Sequence, residues 1–145
     1  MSPSFPTFDR PLVVLHVDDD LMNLRVVDEI LKAFGHEAVG AMGGEEALSH
    51  LGRQVFDVVL LDIHMPGMTG IEVLQQLRAA PGPESRTPVI ALTADVFTLR
   101  PQEYIALGFN DFVAKPILVS GLLGSIAKAV RGPDPASETP LSRMA

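Results

Sequence analysis

Five short runs rich in β-forming residues alternate with longer amphipathic stretches along the chain, and this alternation constrains the fold more than any other feature. The predicted strands span residues 12–17, 36–41, 57–62, 88–93 and 109–114. In the stretches that follow them, apolar residues recur at helical spacing. Strands separated by helices pair in parallel, and right-handed crossovers place the helices on both faces of the sheet. The sequence therefore predicts an α/β fold, with a doubly wound, five-stranded parallel sheet in a three-layer sandwich.

The helices that follow these strands are predicted at residues 22–34, 43–51, 71–77, 100–108 and 117–132. The fourth is expected to be short, because a proline is tolerated only in the first turn of a helix. Pro101 therefore sets its start near Arg100, and Gly108 ends it. Two glycines, Gly121 and Gly124, weaken the last helix.

Length and composition limit the domain organisation. At 145 residues the chain fits one domain, which we assign to residues 11–131. Residues 1–10 and 132–145 contain too few apolar side chains to bury a core, and they are predicted to be flexible segments. The chain has no cysteine. This excludes a disulfide framework, thiolate catalysis and cysteine-bound zinc.

Charge and hydropathy indicate what the chain does not bind. The formal net charge is −7 and the isoelectric point is near 4.9, with no basic stripe in the sequence. Nucleic acids and anionic membranes are bound through basic patches, so we expect neither as a partner. The sequence also lacks a signal peptide and a hydrophobic run of about 18 residues, and it therefore predicts a cytoplasmic protein.

Chemically active side chains stand at the carboxyl ends of four predicted strands. Three successive aspartates, residues 18–20, follow the first strand, and Asp62 ends the third. Thr93 ends the fourth strand, and Lys115 follows the fifth. Doubly wound sheets bind their ligands at this edge. The pattern therefore predicts one site, although a solvated turn, a helix cap or a surface cation would explain each residue taken singly.

Four motifs carry a resemblance to a known family. The segments "VDDD", "LLDIHMPGMTG", "ALTA" and "FVAKPI" resemble, in order and spacing, those of the receiver domain of two-component response regulators. The likeness covers roughly residues 12–131 and includes both single-domain receivers and those attached to hybrid histidine kinases. It implies a flavodoxin-like fold, in agreement with the strand and helix pattern.

The resemblance implies a phosphorylation site and a metal site. Asp62 matches the phosphoacceptor, a carboxylate nucleophile that receives a phosphoryl group from a phosphohistidine. Asp18 and Asp19 match the acidic pair that binds Mg²⁺ together with Asp62 and the backbone carbonyl of His64. Oxygen ligands suit this hard cation, which offsets the repulsion among the carboxylates.

The resemblance also implies a switch. Lys115 matches the lysine that contacts a phosphoryl oxygen, and Thr93 matches the hydroxyl that turns towards it. Phe112 matches an aromatic residue that moves inward with that hydroxyl, and an ordinary core aromatic is the equal alternative. His64 and Asp95 occupy positions expected to tune hydrolysis of the acyl phosphate, although a solvated loop histidine is the favoured explanation of His64.

We therefore expect a receiver that takes its phosphoryl group from a histidine kinase or a histidine phosphotransfer protein and then changes its binding to an unknown downstream protein. Such a domain catalyses its own phosphorylation and dephosphorylation without turning over a separate substrate. A docking module that does not depend on phosphorylation is the main alternative. A haloacid dehalogenase-type phosphatase would carry an acid where this chain has His64, and a flavin carrier would carry hydroxyls and glycine instead of aspartates 18–20.

Overall fold

The computed structural model describes residues 6–131, in which five parallel strands form one sheet. The spatial order is β2-β1-β3-β4-β5. The strands are β1 (Val13–Val17), β2 (Glu37–Ala41), β3 (Val58–Asp62), β4 (Val89–Thr93) and β5 (Asp111–Ala114). The predicted doubly wound parallel sheet is thus confirmed.

Five α-helices cover the two faces of the sheet. They are α1 (Leu21–Ala33), α2 (Gly44–Arg53), α3 (Gly70–Arg78), α4 (Pro101–Leu107) and α5 (Val119–Arg131). One core cluster joins the sheet to α1 and α5, and the other joins it to α2, α3 and α4. Within residues 6–131, no helix combines the length and the apolarity that crossing a membrane requires.

The central strands are buried on both faces, as their continuous apolar sequences predict. All five residues of β3 and all five of β4 are buried. A parallel strand with helices on both sides needs apolar residues at every position. The polar residues that end these two strands, Asp62 and Thr93, are therefore exceptions in an otherwise apolar layer.

Some boundaries differ from the predicted ones. The strand predicted from residue 109 begins at Asp111, because the side chain of Phe109 packs into the core and Asn110 uses its side-chain oxygen to accept from Val89 N–H. The last helix begins at Val119 instead of residue 117. A 3₁₀ turn at Pro83–Arg86 follows α3, where the sequence indicates only the end of the helix.

The predicted flexible segments lie mostly outside the described residues, at 1–5 and 132–145. Within residues 6–10, Phe8 and Arg10 contact the domain. Phe8 packs edge-on against the His36 ring, with 4.7 Å between the ring centroids. The Arg10 guanidinium donates to the Asp57 carboxylate, which also accepts from Val13 N–H at 2.7 Å.

Candidate functional site

The point where the strand order reverses lies between β1 and β3. From β1 the chain crosses to β2 on one side and, after α2, to β3 on the other, so the loops after β1 and β3 diverge. Asp18 directly follows β1, and Asp62 is the last residue of β3. Such a crevice at the carboxyl ends of the strands is the usual ligand site of an open α/β sheet.

Three carboxylates meet in this crevice. Asp18, Asp19 and Asp62 each place an oxygen within 4.8 Å of the others. Asp18 and Asp62 are buried, and Asp19 is exposed. Burial raises the pKa of Asp62 above its usual value, and the neighbouring charge of Asp18 adds to the effect, while Lys115 opposes it. The site therefore holds like charges in a poorly solvated position.

Lys115 joins the two buried carboxylates. Its Nζ lies 3.1 Å from Asp18 Oδ2 and 3.5 Å from Asp62 Oδ1. The lysine reaches them from the loop after β5, where the Lys115–Pro116 peptide bond is cis. The Lys115 ammonium group therefore neutralises only part of the negative charge of the three aspartates.

Backbone and amide donors fix the orientation of the two buried carboxylates. Asp18 accepts from Asp20 N–H at 2.9 Å and from Asn23 Nδ2 at 3.2 Å, and Asp62 accepts from His64 N–H at 3.3 Å. Gly70 begins α3 close to the end of β3, where an added Cβ would lie 2.4 Å from the Asp62 carbonyl oxygen. A residue without a side chain is thus needed for α3 to approach the strand at this point.

The cluster has the ligand chemistry of a hard divalent cation. Its donors are carboxylate oxygens, and oxygen ligands are what Mg²⁺ and Ca²⁺ prefer. A cation would also offset the repulsion that burial makes costly for Asp62 and Asp18. The residues present therefore fit the metal that the family resemblance implies.

Thr93 lies at the end of β4, fully buried beneath the loop to α4. Its hydroxyl accepts from Asp95 N–H at 3.0 Å. Tyr104 of α4 is also buried and interacts with the Thr93 hydroxyl, while burial and the charge of Asp95 raise the tyrosine pKa. Phe112 is half-buried and stacks on Tyr104, with ring centroids 5.0 Å apart. The side chains of Thr93, Tyr104 and Phe112 thus form a continuous stack behind the strand ends.

His64 and Asp95 face each other across the mouth of the site. His64 Nε2 lies 3.6 Å from Asp95 Oδ2, and both side chains are partly exposed. A hydrogen bond from the Thr98 hydroxyl and two from backbone amides lower the pKa of Asp95 to about 2. Asp95 therefore stays ionised at neutral pH and can attract the imidazole.

The residues that the sequence assigns to phosphoryl transfer and metal binding lie at this edge of the sheet, whereas Phe112 of the switch lies within β5, in register with Ala91. Asp20 is the N-cap of α1, where its carboxylate accepts from Met22 N–H at 2.9 Å. Two contacts are absent from the sequence-based prediction. Asn23 is predicted only as part of the first turn of α1, and Tyr104 gives no sequence signal beyond being the single tyrosine of the chain.

Known proteins share this fold and these sequence patterns. The family model of the response regulator receiver domain matches residues 14–127. The sensory/regulatory protein RpfC of Xanthomonas campestris is 35% identical over 119 residues, which are 81% of this chain and 16% of that protein. The chain thus corresponds to a small part of that relative's length.

Two solved structures of receiver proteins are also similar to this chain in fold and sequence. Chemotaxis protein CheY4 of Vibrio cholerae superposes with a TM-score of 0.75 and 31% identity, covering 82% of this chain and 98% of CheY4. The receiver domain of sensor histidine kinase PA1611 of Pseudomonas aeruginosa, solved with a magnesium ion in its active-site cleft, gives a TM-score of 0.76 and 26% identity over 84% of this chain and 99% of that one. With the family match over most of the folded residues, these likenesses show that the chain belongs to the receiver domain family of two-component phosphorelay systems.

Proposed function

We propose that Asp62 accepts a phosphoryl group from a histidine kinase or histidine phosphotransfer protein in a Mg²⁺-dependent reaction, and that the acyl phosphate switches binding to a downstream protein. The observation that carries the proposal is the approach of Lys115 Nζ to within 3.5 Å of Asp62 and 3.1 Å of Asp18 beside a third carboxylate. Histidine kinases phosphorylate their partners inside the cell, so the proposal places the reaction in the cytoplasm.

In this reaction an Asp62 carboxylate oxygen attacks the phosphorus of the phosphohistidine. The new P–O bond forms as the P–N bond breaks, and the donor imidazole takes up a proton as it leaves. Lys115 provides a cation next to the attacked phosphoryl group, where it can hold a phosphoryl oxygen. Burial of Asp62 limits solvation of the nucleophile before the donor arrives.

The cation site of the proposal consists of Asp18, Asp19, Asp62 and the backbone carbonyl of His64. Bound Mg²⁺ would neutralise the charge that develops during transfer. The hydrogen bonds from Asp20 N–H and Asn23 hold Asp18 in place for this task. Without the metal, the three carboxylates would repel an incoming phosphate.

In the proposed switch, a rearrangement begins at Thr93 and reaches Phe112. A phosphoryl group on Asp62 offers acceptor oxygens that compete for the Thr93 hydroxyl, which otherwise bonds to the Asp95 backbone. Movement of Thr93 would change its contact with Tyr104, on which Phe112 stacks. The neighbouring β4–α4 loop carries the exposed Phe97, so the rearrangement would reach a surface that a partner can contact.

Intact mass after incubation with acetyl phosphate tests the proposal. We expect one added phosphoryl group in the wild type with Mg²⁺, and none without Mg²⁺ or in Asp62→Asn. Asp20→Asn is the matched control, because asparagine also caps a helix and the residue lies outside the three-carboxylate cluster. Stable uptake by Asp62→Asn would refute the nucleophile assignment, and no uptake even from a phosphorylated histidine phosphotransfer protein would favour the docking module.

A further inference from the structure

A cavity that the three clustered aspartates do not line lies between α1 and the edge strand β2. Its volume is about 540 Å³, within the usual range for small-molecule sites. Leu21, Met22 and Leu24 line it from α1, and Ala38, Gly40 and Met42 line it from β2 and the residue after it. The lining is mainly apolar. The cavity opens to solvent beside Met22 and Met42, whose side chains are exposed.

Small residues on β2 leave room for this cavity. Ala38 and Gly40 stand two positions apart on the strand, so they face the same side of the sheet. That side is the one under α1, since a Cβ on Gly40 would lie 3.6 Å from the Leu24 methyl groups. A larger residue at position 40 would therefore extend into the space that Leu24 borders.

His16 of β1 lies at the floor of the cavity, in register with Gly40. It is 1% exposed and stands within an otherwise apolar strand. Neither of its ring nitrogens has a hydrogen-bond partner within residues 6–131, and the Asp18 carboxylate lies 3.9 Å from Nε2, beyond hydrogen-bond distance. A neutral imidazole offers one donor and one acceptor, and burying them unpaired is costly. His16 is therefore a polar residue in an apolar strand, with no hydrogen bond to offset the cost of its burial. Such a departure from the local pattern is typical of functional sites.

We propose that the cavity between α1 and β2 binds an uncharged, mainly apolar small molecule of one or two rings, with a single polar atom that hydrogen-bonds to the His16 imidazole. The charges at the cavity, on Arg25 and Asp28, are of opposite sign, so they select for neither an anion nor a cation. Met22 and Met42 give the mouth flexible, polarisable side chains that adapt to a ring and let the ligand reach the covered imidazole.

The proposal does not rest on phosphoryl transfer. Because His16 Nε2 lies 3.9 Å from Asp18, a carboxylate of the proposed cation site, its test is made on the full chain without Mg²⁺. The probe is indole, whose N–H can donate to an imidazole nitrogen. In ¹H–¹⁵N NMR spectra, we expect the resonances of Leu24 and Gly40 to shift and then to reach saturation as indole is added. In Gly40→Val, whose side chain fills part of the cavity, the dissociation constant should rise at least about tenfold. Unsaturable shifts, or equal binding by Gly40→Val, would overturn the site.

A matched pair of probes isolates the polar contact. Indene has the ring size of indole and lacks the N–H donor. In the wild type we expect indole to bind about fivefold more tightly than indene, as one net hydrogen bond predicts. His16→Leu should remove this preference while still binding indene, and circular dichroism would verify its fold. A preference for indole that survives in His16→Leu would refute the role of His16, while the Gly40→Val comparison tests the cavity separately.

Discussion

At the scale of single residues, the molecule concentrates like charges where solvation is poor. Asp18 is fully buried and Asp62 is 5% exposed, with the exposed Asp19 beside them. Lys115 offsets part of their repulsion. The raised pKa of Asp62 means that its charged form is less stable in the folded protein than in water. Without a metal, this arrangement should therefore lower the stability of the fold.

We accordingly expect Asp62→Asn to stabilise the metal-free protein. Removing one buried negative charge while keeping the shape should raise the free energy of unfolding at pH 7 by about 1 kcal/mol. Urea denaturation in EDTA measures the change. Asp20→Asn is the control, since its carboxylate is exposed and its capping role is retained, and it should change the free energy by less than about 0.5 kcal/mol. Equal or lower stability of Asp62→Asn would show that Lys115 already compensates the cluster.

Two buried histidines should make the stability depend on pH. Burial lowers the pKa of His16 from 6.5 to about 4, although Asp18 opposes the effect, and burial also lowers the pKa of His36. Each group binds its proton more weakly when folded, so its contribution is complete above pH 6.5 and is lost as the pH falls towards the folded pKa. Protonation of His36 would also break a specific hydrogen bond, because Nδ1 accepts from Leu12 N–H at 3.0 Å.

Urea denaturation at pH 7.0 and at pH 5.0 tests this dependence. We expect a lower free energy of unfolding at pH 5.0 in the wild type and a smaller decrease in His36→Asn, whose amide oxygen can still accept from Leu12 N–H. His50→Asn, at a half-buried histidine elsewhere in the chain, is the comparison. A pH dependence that His36→Asn does not reduce would mean that His36 is not one of the groups responsible.

At the scale of secondary-structure elements, Arg78 joins the end of α3 to the elements that follow it. Its guanidinium donates to the carbonyls of Ser85, Thr87 and Gly108 and to the side-chain oxygen of Asn110. It is half-buried, and burial lowers its pKa from the usual value. The carbonyls belong to the 3₁₀ turn, the approach to β4 and the C-cap of α4. One side chain therefore determines how several loops pack.

We expect Arg78→Ala to lower the free energy of unfolding by about 3 kcal/mol, because several partly buried acceptors would lose a charged donor. Arg78→Lys should recover only part of that loss, since an ammonium group cannot reproduce the planar fork of the guanidinium. Arg86→Ala, at an exposed arginine nearby, should stay within about 0.5 kcal/mol of the wild type. Equal stability of the Arg78 and Arg86 variants, measured by urea denaturation, would contradict the role given to this residue.

Some of these features could be predicted from the sequence, and others, such as the contacts of Arg78, could not. Periodicity and turn residues predict the five strands, and Gly108 ends α4 in the left-handed conformation that favours glycine. The contact of Lys115 with Asp18 spans 97 positions and could be expected only because parallel strand ends share an edge. The Arg78 contacts depend on the exact paths of irregular loops, and Tyr104 meets Thr93 through the packing angle of a short helix. Neither leaves a pattern in the sequence.

At the scale of the whole molecule, the proposed metal site and the fold should stabilise each other. The ligand carboxylates follow β1 and end β3, two adjacent strands at the centre of the sheet, so the unfolded chain does not hold them together. A ligand that binds only the folded state stabilises it by mass action. The charge repulsion that destabilises the metal-free protein would then be relieved in the same step.

We therefore expect Mg²⁺ to raise the melting temperature. At a concentration of about 100 times the dissociation constant, the gain is about 2.7 kcal/mol, or roughly 10 °C for a domain of this size. Differential scanning calorimetry in MgCl₂, compared with KCl at equal ionic strength, separates specific binding from screening of the net charge of −7. Asp19→Asn should lose most of the shift, because it removes an exposed ligand at little cost to the core, and Glu29→Gln on the exposed face of α1 should keep it. An equal shift in wild type and Asp19→Asn would place the bound cation elsewhere on this acidic protein.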